Sequence, residues 1–77
     1  MKKAKRRQKL TTGSSIRIAR EISHLSLEDL ARQLRIPISD LKALENDTKI
    51  LGLERAKRLA YALGIHPSVL LFPDLNG

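Results

Sequence analysis

An all-α domain of five helices is what this 77-residue sequence predicts. Three observations predict it. Apolar residues recur at three- and four-residue steps in successive stretches. Residues that open or close helices stand between those stretches. No stretch alternates apolar and polar residues as a half-buried strand would, and no internal repeat is present.

The first helix is expected over residues 14–23. Thr12, Gly13, Ser14 and Ser15 form a cluster of turn and N-cap residues, and Ile16, Ala19, Ile22 and Leu25 follow at helical spacing. Ser26 caps a second helix over 27–34, whose first turn holds Glu28 and Asp29, the charge that suits a helix N-terminus. Arg35, Ile36 and Pro37 make the next turn. Pro37 suits the start of a third helix, 38–46, because its missing N–H would be unpaired there anyway. Asn46, Asp47 and Thr48 end that helix, and residues 49–52 form a loop. Leu53, Ala56, Ala60 and Leu63 then share one face of a fourth helix, with Gly64 as its stop. His66, Pro67 and Ser68 open a short fifth helix through Val69 and Phe72, which Pro73 closes.

The second and third helices carry the most informative pattern. Across residues 27–46, LEDLARQLRIPISDLKALEN, the apolar positions are Leu30, Leu34, Ile36, Leu41 and Leu44, with the small Ala31 in the first half. Two short helices crossing steeply need a small side chain where their backbones meet, and Ala31 fills that place. This is the internal skeleton of a helix-turn-helix, a motif that usually reads DNA.

Charge is unevenly placed. The chain carries a formal +7, of which residues 1–9 supply +6 through Lys2, Lys3, Lys5, Arg6, Arg7 and Lys9 with no acid. The remainder is close to neutral, so the sequence pI near 10.4 describes the tail more than the domain. Like-charge repulsion and scant apolar content predict a disordered, extended arm over 1–12 that orders against a polyanion. Residues 13–77 form the expected helix-turn-helix domain. A domain this small buries only roughly 60% of its unfolded surface, which favours stabilisation by dimerisation.

The segments IRIARE at 16–21, LSLEDLARQL at 25–34, LKALEN at 41–46 and LERAKRLAYALGI at 53–65 resemble the Cro and phage-repressor family of helix-turn-helix regulators, the XRE type. The likeness covers about residues 13–73. It implies a five-helix bundle whose third helix enters the major groove of double-stranded DNA, often as a homodimer on a two-fold site. It also implies a pairing of a first-helix arginine with a glutamate near the end of the third helix, here Arg20 and Glu45. Such a pair forms two parallel hydrogen bonds, and losing either partner strands a charge.

Aligned with the family, the outward residues of the third helix are Ile38, Ser39, Asp40, Lys42 and Ala43. They are a poor base-reading set, because the favoured pairings are Arg or Lys on guanine and Asn or Gln on adenine. Only Ser39 and Lys42 can donate. Ile38 and Ala43 suit a thymine methyl, and Asp40 accepts from cytosine but repels phosphate; the alternative is a solvated face of no special use. Lys49 and Arg55 lie where the family commonly contacts phosphates, though each alone is also an ordinary surface charge. The six cations of the arm add phosphate candidates, with binding that falls steeply in salt. Two departures stand out. Leu27 occupies the place of a phosphate-binding glutamine, and Arg35 that of a turn glycine with positive φ, so the backbone there is either strained or differently turned.

Other functional classes have less support. Cysteine is absent, which excludes disulfides and thiolate metal sites and fits a cytoplasmic protein. No apolar run approaches the ~20 residues of a membrane span. His24 and His66 have no metal spacing around them, and no phosphate loop is present, so neither an enzyme nor a cofactor is expected. Tyr61 and Phe72 are too few aromatics for a base-stacking platform.

The leading expectation is a sequence-specific transcriptional regulator: a repressor, or an antitoxin-like autoregulator with a toxin or other regulator as protein partner. With no effector domain expected, regulation would come from abundance, a partner or proteolysis. The alternative is a protein-interaction module, because LSLEDLARQLRI with ALEN also resembles the helix-turn-helix of RodZ, which binds an actin-like protein rather than reading DNA. The run Val69, Leu70, Leu71 and Phe72 either closes the core or forms a homodimer contact that sets two recognition helices about one DNA turn apart.

Overall fold

The computed structural model describes residues 10–73. The segment carrying Lys2, Lys3, Lys5, Arg6, Arg7 and Lys9 lies outside the described residues. Five helices and no strand occur among the described residues: α1 Thr12–Ile22, α2 Leu27–Leu34, α3 Ile38–Glu45, α4 Leu53–Leu63 and α5 Pro67–Leu71.

Local signals set most helix ends. The Ser26 hydroxyl accepts from Asp29 N at 3.0 Å and opens α2. Gly64, at φ 70°, closes α4 and lets Ile65 N donate back to Ala60 O at 2.9 Å. His66 Nδ1 accepts from Ser68 N at 3.1 Å, and Pro67 takes the first position of α5. Pro37 stands just before α3 rather than within it, at φ −62° and ψ 144°. The remaining shifts are small: α3 ends at Glu45 and α1 at Ile22, each one residue short of expectation.

The start of α1 departs further, for a tertiary reason. The helix begins at Thr12, two residues before the expected Ser14, because Thr11 is its cap. The Thr11 hydroxyl accepts from Ser14 N at 3.0 Å and donates to Asp47 Oδ2 at 2.6 Å. Asp47 Oδ1 accepts from Gly13 N at 2.8 Å. A carboxylate from the far side of α3 thus meets the positive end of α1.

The core is built round six fully buried side chains, Ile16, Leu30, Leu41, Leu44, Leu59 and Leu70, each worth roughly 1.5–3 kcal/mol on burial. They come from all five helices, so no helix can leave without opening the centre. Ala31 is buried at 4% exposure, as expected of the small residue at a steep helix crossing. Two expected core positions face solvent instead: Ile22 is 72% exposed and Leu53 56%. In α1 each three-residue step falls about 60° short of a turn, so a stripe starting at Ile16 has swung off the buried side by Ile22. In α4 the buried face runs through Ala56, Leu59, Ala60 and Leu63, and Leu53 lies at its edge.

Candidate nucleic-acid interface

The turn between α2 and α3 sets the angle at which α3 is presented. Arg35 takes the left-handed conformation, φ 59° and ψ 44°, and this allows Ile36 N to donate to Ala31 O at 3.1 Å. The turn therefore keeps the glycine-type shape with an arginine in it, and the backbone carries the strain that a Cβ causes there. Arg58 of α4 donates to the carbonyl of Leu34, so the last turn of α2 is also tied to the far side of the bundle.

Behind the outward face of α3, Arg20 and Glu45 are brought together. Arg20 Nε lies 2.7 Å from Glu45 Oε2 and Nη2 3.2 Å from Oε1, while Nη1 donates to Leu25 O at 2.9 Å. The two side chains are only 12% and 7% exposed. Hydrogen bonding to Glu45 raises the Arg20 pKa above its already high ordinary value, outweighing the cost of burial. The pair fixes the roll of α3 about its own axis relative to α1.

On the outward side, Ser39 and Lys42 are exposed, Ala43 is half-buried, and Ile38 is half-buried and packed against the core. Ile38 thus has one flank committed to the interior. Asp40 has a different situation from a bare base-reading side chain. Its Oδ1 lies 3.2 Å from Lys49 Nζ and its Oδ2 3.3 Å from Arg55 Nη2. The hydrogen bond from Lys49 outweighs desolvation and, with the Lys49 charge and the Arg55 contact, holds the Asp40 carboxyl below the usual carboxylate range. Lys49 and Arg55 therefore converge on one anion of the α3 first turn. Sequence spacing gave no signal for this, since the three residues come from α3, the α3–α4 loop and α4.

The run at the end of the chain divides. Leu70 is fully buried and belongs to the core, so it is not available as a surface contact. Val69 and Leu71 are half-buried, and Phe72 is 54% exposed. The Thr12 hydroxyl donates to Leu70 O at 2.8 Å and seats α5 on α1. An apolar cleft lined by Leu10, Ile18, Ile22, Leu63, Ile65 and Val69 runs beside it. His24 is an exposed turn residue at φ 60°. Among the described residues no cluster of His, Cys, Asp and Glu could hold a metal ion, and no helix is long and apolar enough to cross a membrane.

Comparison with known proteins gives a consistent answer. The clp gene regulator ClgR from Corynebacterium glutamicum is similar at 25% identity and a TM-score of 0.75, over 84% of this chain and 84% of that one. A hypothetical transcription factor, NHTF, from Neisseria is similar at 28% identity and a TM-score of 0.76, over 84% and 75% of the two chains. The DNA-binding domain of the P22 C2 repressor shares the fold, with 22% identity and a TM-score of 0.79 over 90% and 91%. A search of curated proteins gives no match. A family model described as a helix-turn-helix domain matches residues 13–72, nearly the whole folded part. The chain belongs to the XRE-type family of helix-turn-helix domains.

Proposed function

We propose that the protein is a sequence-specific transcriptional regulator of double-stranded DNA, a repressor or antitoxin-like autoregulator acting in the cytoplasm. The observation that carries this reading is the presentation of α3. The Arg20–Glu45 pair holds it against α1 and the strained turn at Arg35 sets it against α2, with Ser39 and Lys42 outward and Lys49 and Arg55 beside them. In this reading α3 enters the major groove. Ser39 and Lys42 donate to base edges, Ile38 and Ala43 contact thymine methyls, and Asp40 accepts from cytosine. Lys49, Arg55 and the basic segment of Lys2, Lys3, Lys5, Arg6, Arg7 and Lys9 hold phosphates, supplying affinity that α3 lacks.

A homodimer completes the reading, with Val69, Leu71 and Phe72 at the two-fold contact beside the apolar cleft. Sedimentation that found only monomer at high micromolar concentration, and again on DNA, would remove it. A regulator protein or toxin is the further partner this reading admits. The decisive experiment selects bound duplexes from a random pool at about physiological salt, using the full chain and a form beginning at Leu10. Enrichment of a palindrome supports the regulator, and its loss in the shorter form assigns the affinity to the basic segment. A second reading, a protein-interaction module, is favoured by the engagement of Lys49 and Arg55 with Asp40. It gains if neither form enriches a motif and all binding disappears with salt.

A further inference from the structure

We propose that Asp40 is the built-in counter-ion of a phosphate site formed by Lys49 and Arg55, and that a phosphate of the ligand takes its place. The cation from the α3–α4 loop and the cation from α4 each address a separate oxygen of the same carboxylate, at 3.2 and 3.3 Å. The two non-bridging oxygens of a phosphodiester offer nearly the same bite. All three side chains reach solvent, with 45% of Lys49, 35% of Arg55 and 26% of Asp40 exposed. An incoming anion therefore meets the cations without any opening of the core. Ion pairs at such exposure are individually weak and screened by salt, so the exchange is easy. The site lies at the first turn of α3, whose N-terminus has no side-chain cap and adds the positive end of the helix dipole.

The consequence is selectivity through masking. While Asp40 holds them, Lys49 and Arg55 present together one net positive charge instead of two, and this depresses binding to any polyanion. After the exchange the carboxylate stands beside a phosphate and opposes it. Asp40 thus lowers the affinity for duplex in general and keeps the non-specific background down. That the phosphate belongs to DNA rests on the proposed function. The masking itself does not.

The test is Asp40→Asn in the full chain, a replacement of the same shape that removes the negative charge. Two probes are titrated, tripolyphosphate and a random-sequence duplex, and the Lys49 and Arg55 side-chain resonances report where binding occurs. The Asn variant is expected to bind both probes about threefold to tenfold more tightly. Its dependence of log affinity on log salt for the duplex should steepen by about one. In a Lys49→Gln, Arg55→Gln background the same change at residue 40 should have little further effect. Unchanged affinity for both probes overturns the proposal, and so does an equal gain when the two cations are absent, because the effect would then be general charge. A gain on tripolyphosphate with no duplex binding by any form supports the masked site and removes the DNA reading.

Discussion

The backbone of Gly13 runs against the carbonyl of Glu45 so closely that a Cβ on residue 13 would lie 2.3 Å from the oxygen. The neighbouring Leu44 oxygen would be 2.8 Å away, and both obstacles are main chain that cannot rotate aside. Gly13 is therefore a contact surface between α1 and α3 and not a loop residue. Gly13→Ala should destabilise the fold by about 1–3 kcal/mol, the usual scale of overpacking, although alanine is the better helix former. A thermal melt at the wild-type temperature would mean that α1 and α3 stand further apart than described.

Removing one half of the buried ion pair should be costlier. Arg20→Met leaves Glu45 charged at 7% exposure and also releases the Leu25 carbonyl, so the expected loss is about 3–5 kcal/mol. Replacing both partners with apolar residues should recover much of it, since no charge is then stranded. Denaturant unfolding of the single and paired variants checks this. An unchanged midpoint for Arg20→Met would sink the buried pair.

Arg35 offers the opposite case, a substitution expected to stabilise. A Cβ in the left-handed region costs roughly 1 kcal/mol, and glycine avoids that cost while giving up some chain entropy. Arg35→Gly should raise the melting temperature by a few degrees, given about 4–8 °C per kcal/mol for a domain of this size. Arg35→Ala should not, because its Cβ keeps the strain. Equal effects from glycine and alanine would place the gain in the lost charge instead.

Acid should expose the two aspartates held by donors. The Asp29 pKa is lowered chiefly by the Ser26 hydroxyl and N–H, and that of Asp40 chiefly by the Lys49 hydrogen bond. A carboxylate whose folded pKa lies below its unfolded value stabilises the fold above the unfolded value, about 3.9, and loses that contribution as pH falls through the folded pKa. Stability from these groups should therefore be flat from neutral pH to about 4 and decline below it. Carboxyl NMR titration should place both midpoints under the ordinary value. In Lys49→Gln the Asp40 midpoint should move up; if it does not, the contact is absent in solution.

What could be read from the chain were features whose cause is local. Ser26, Gly64 and the His66–Pro67 pair act within a turn of themselves, and the structure has their helices where spacing puts them. The apolar skeleton of α2 and α3 was equally legible, with Leu30, Ala31, Leu34, Leu41 and Leu44 all buried. Features whose cause is a partner far along the chain were not. Thr11 opens α1 with help from Asp47, a partner 36 residues further along the chain. At the candidate interface, side-chain chemistry identified Asp40 as a poor phosphate neighbour. Only the folded arrangement brings Lys49 and Arg55 onto it.

Asp47 joins the opening of α1 to the exit of α3 by holding the Thr11 hydroxyl and the Gly13 amide with its two oxygens. Fraying at the first helix and excursions of the loop that carries Lys49 therefore share one latch. The two segments should open as a single cooperative unit, and their amides should exchange hydrogen with a common free energy. A ligand that quiets the loop would thereby also stiffen the start of α1, transmitting order from one to the other without any movement of the core.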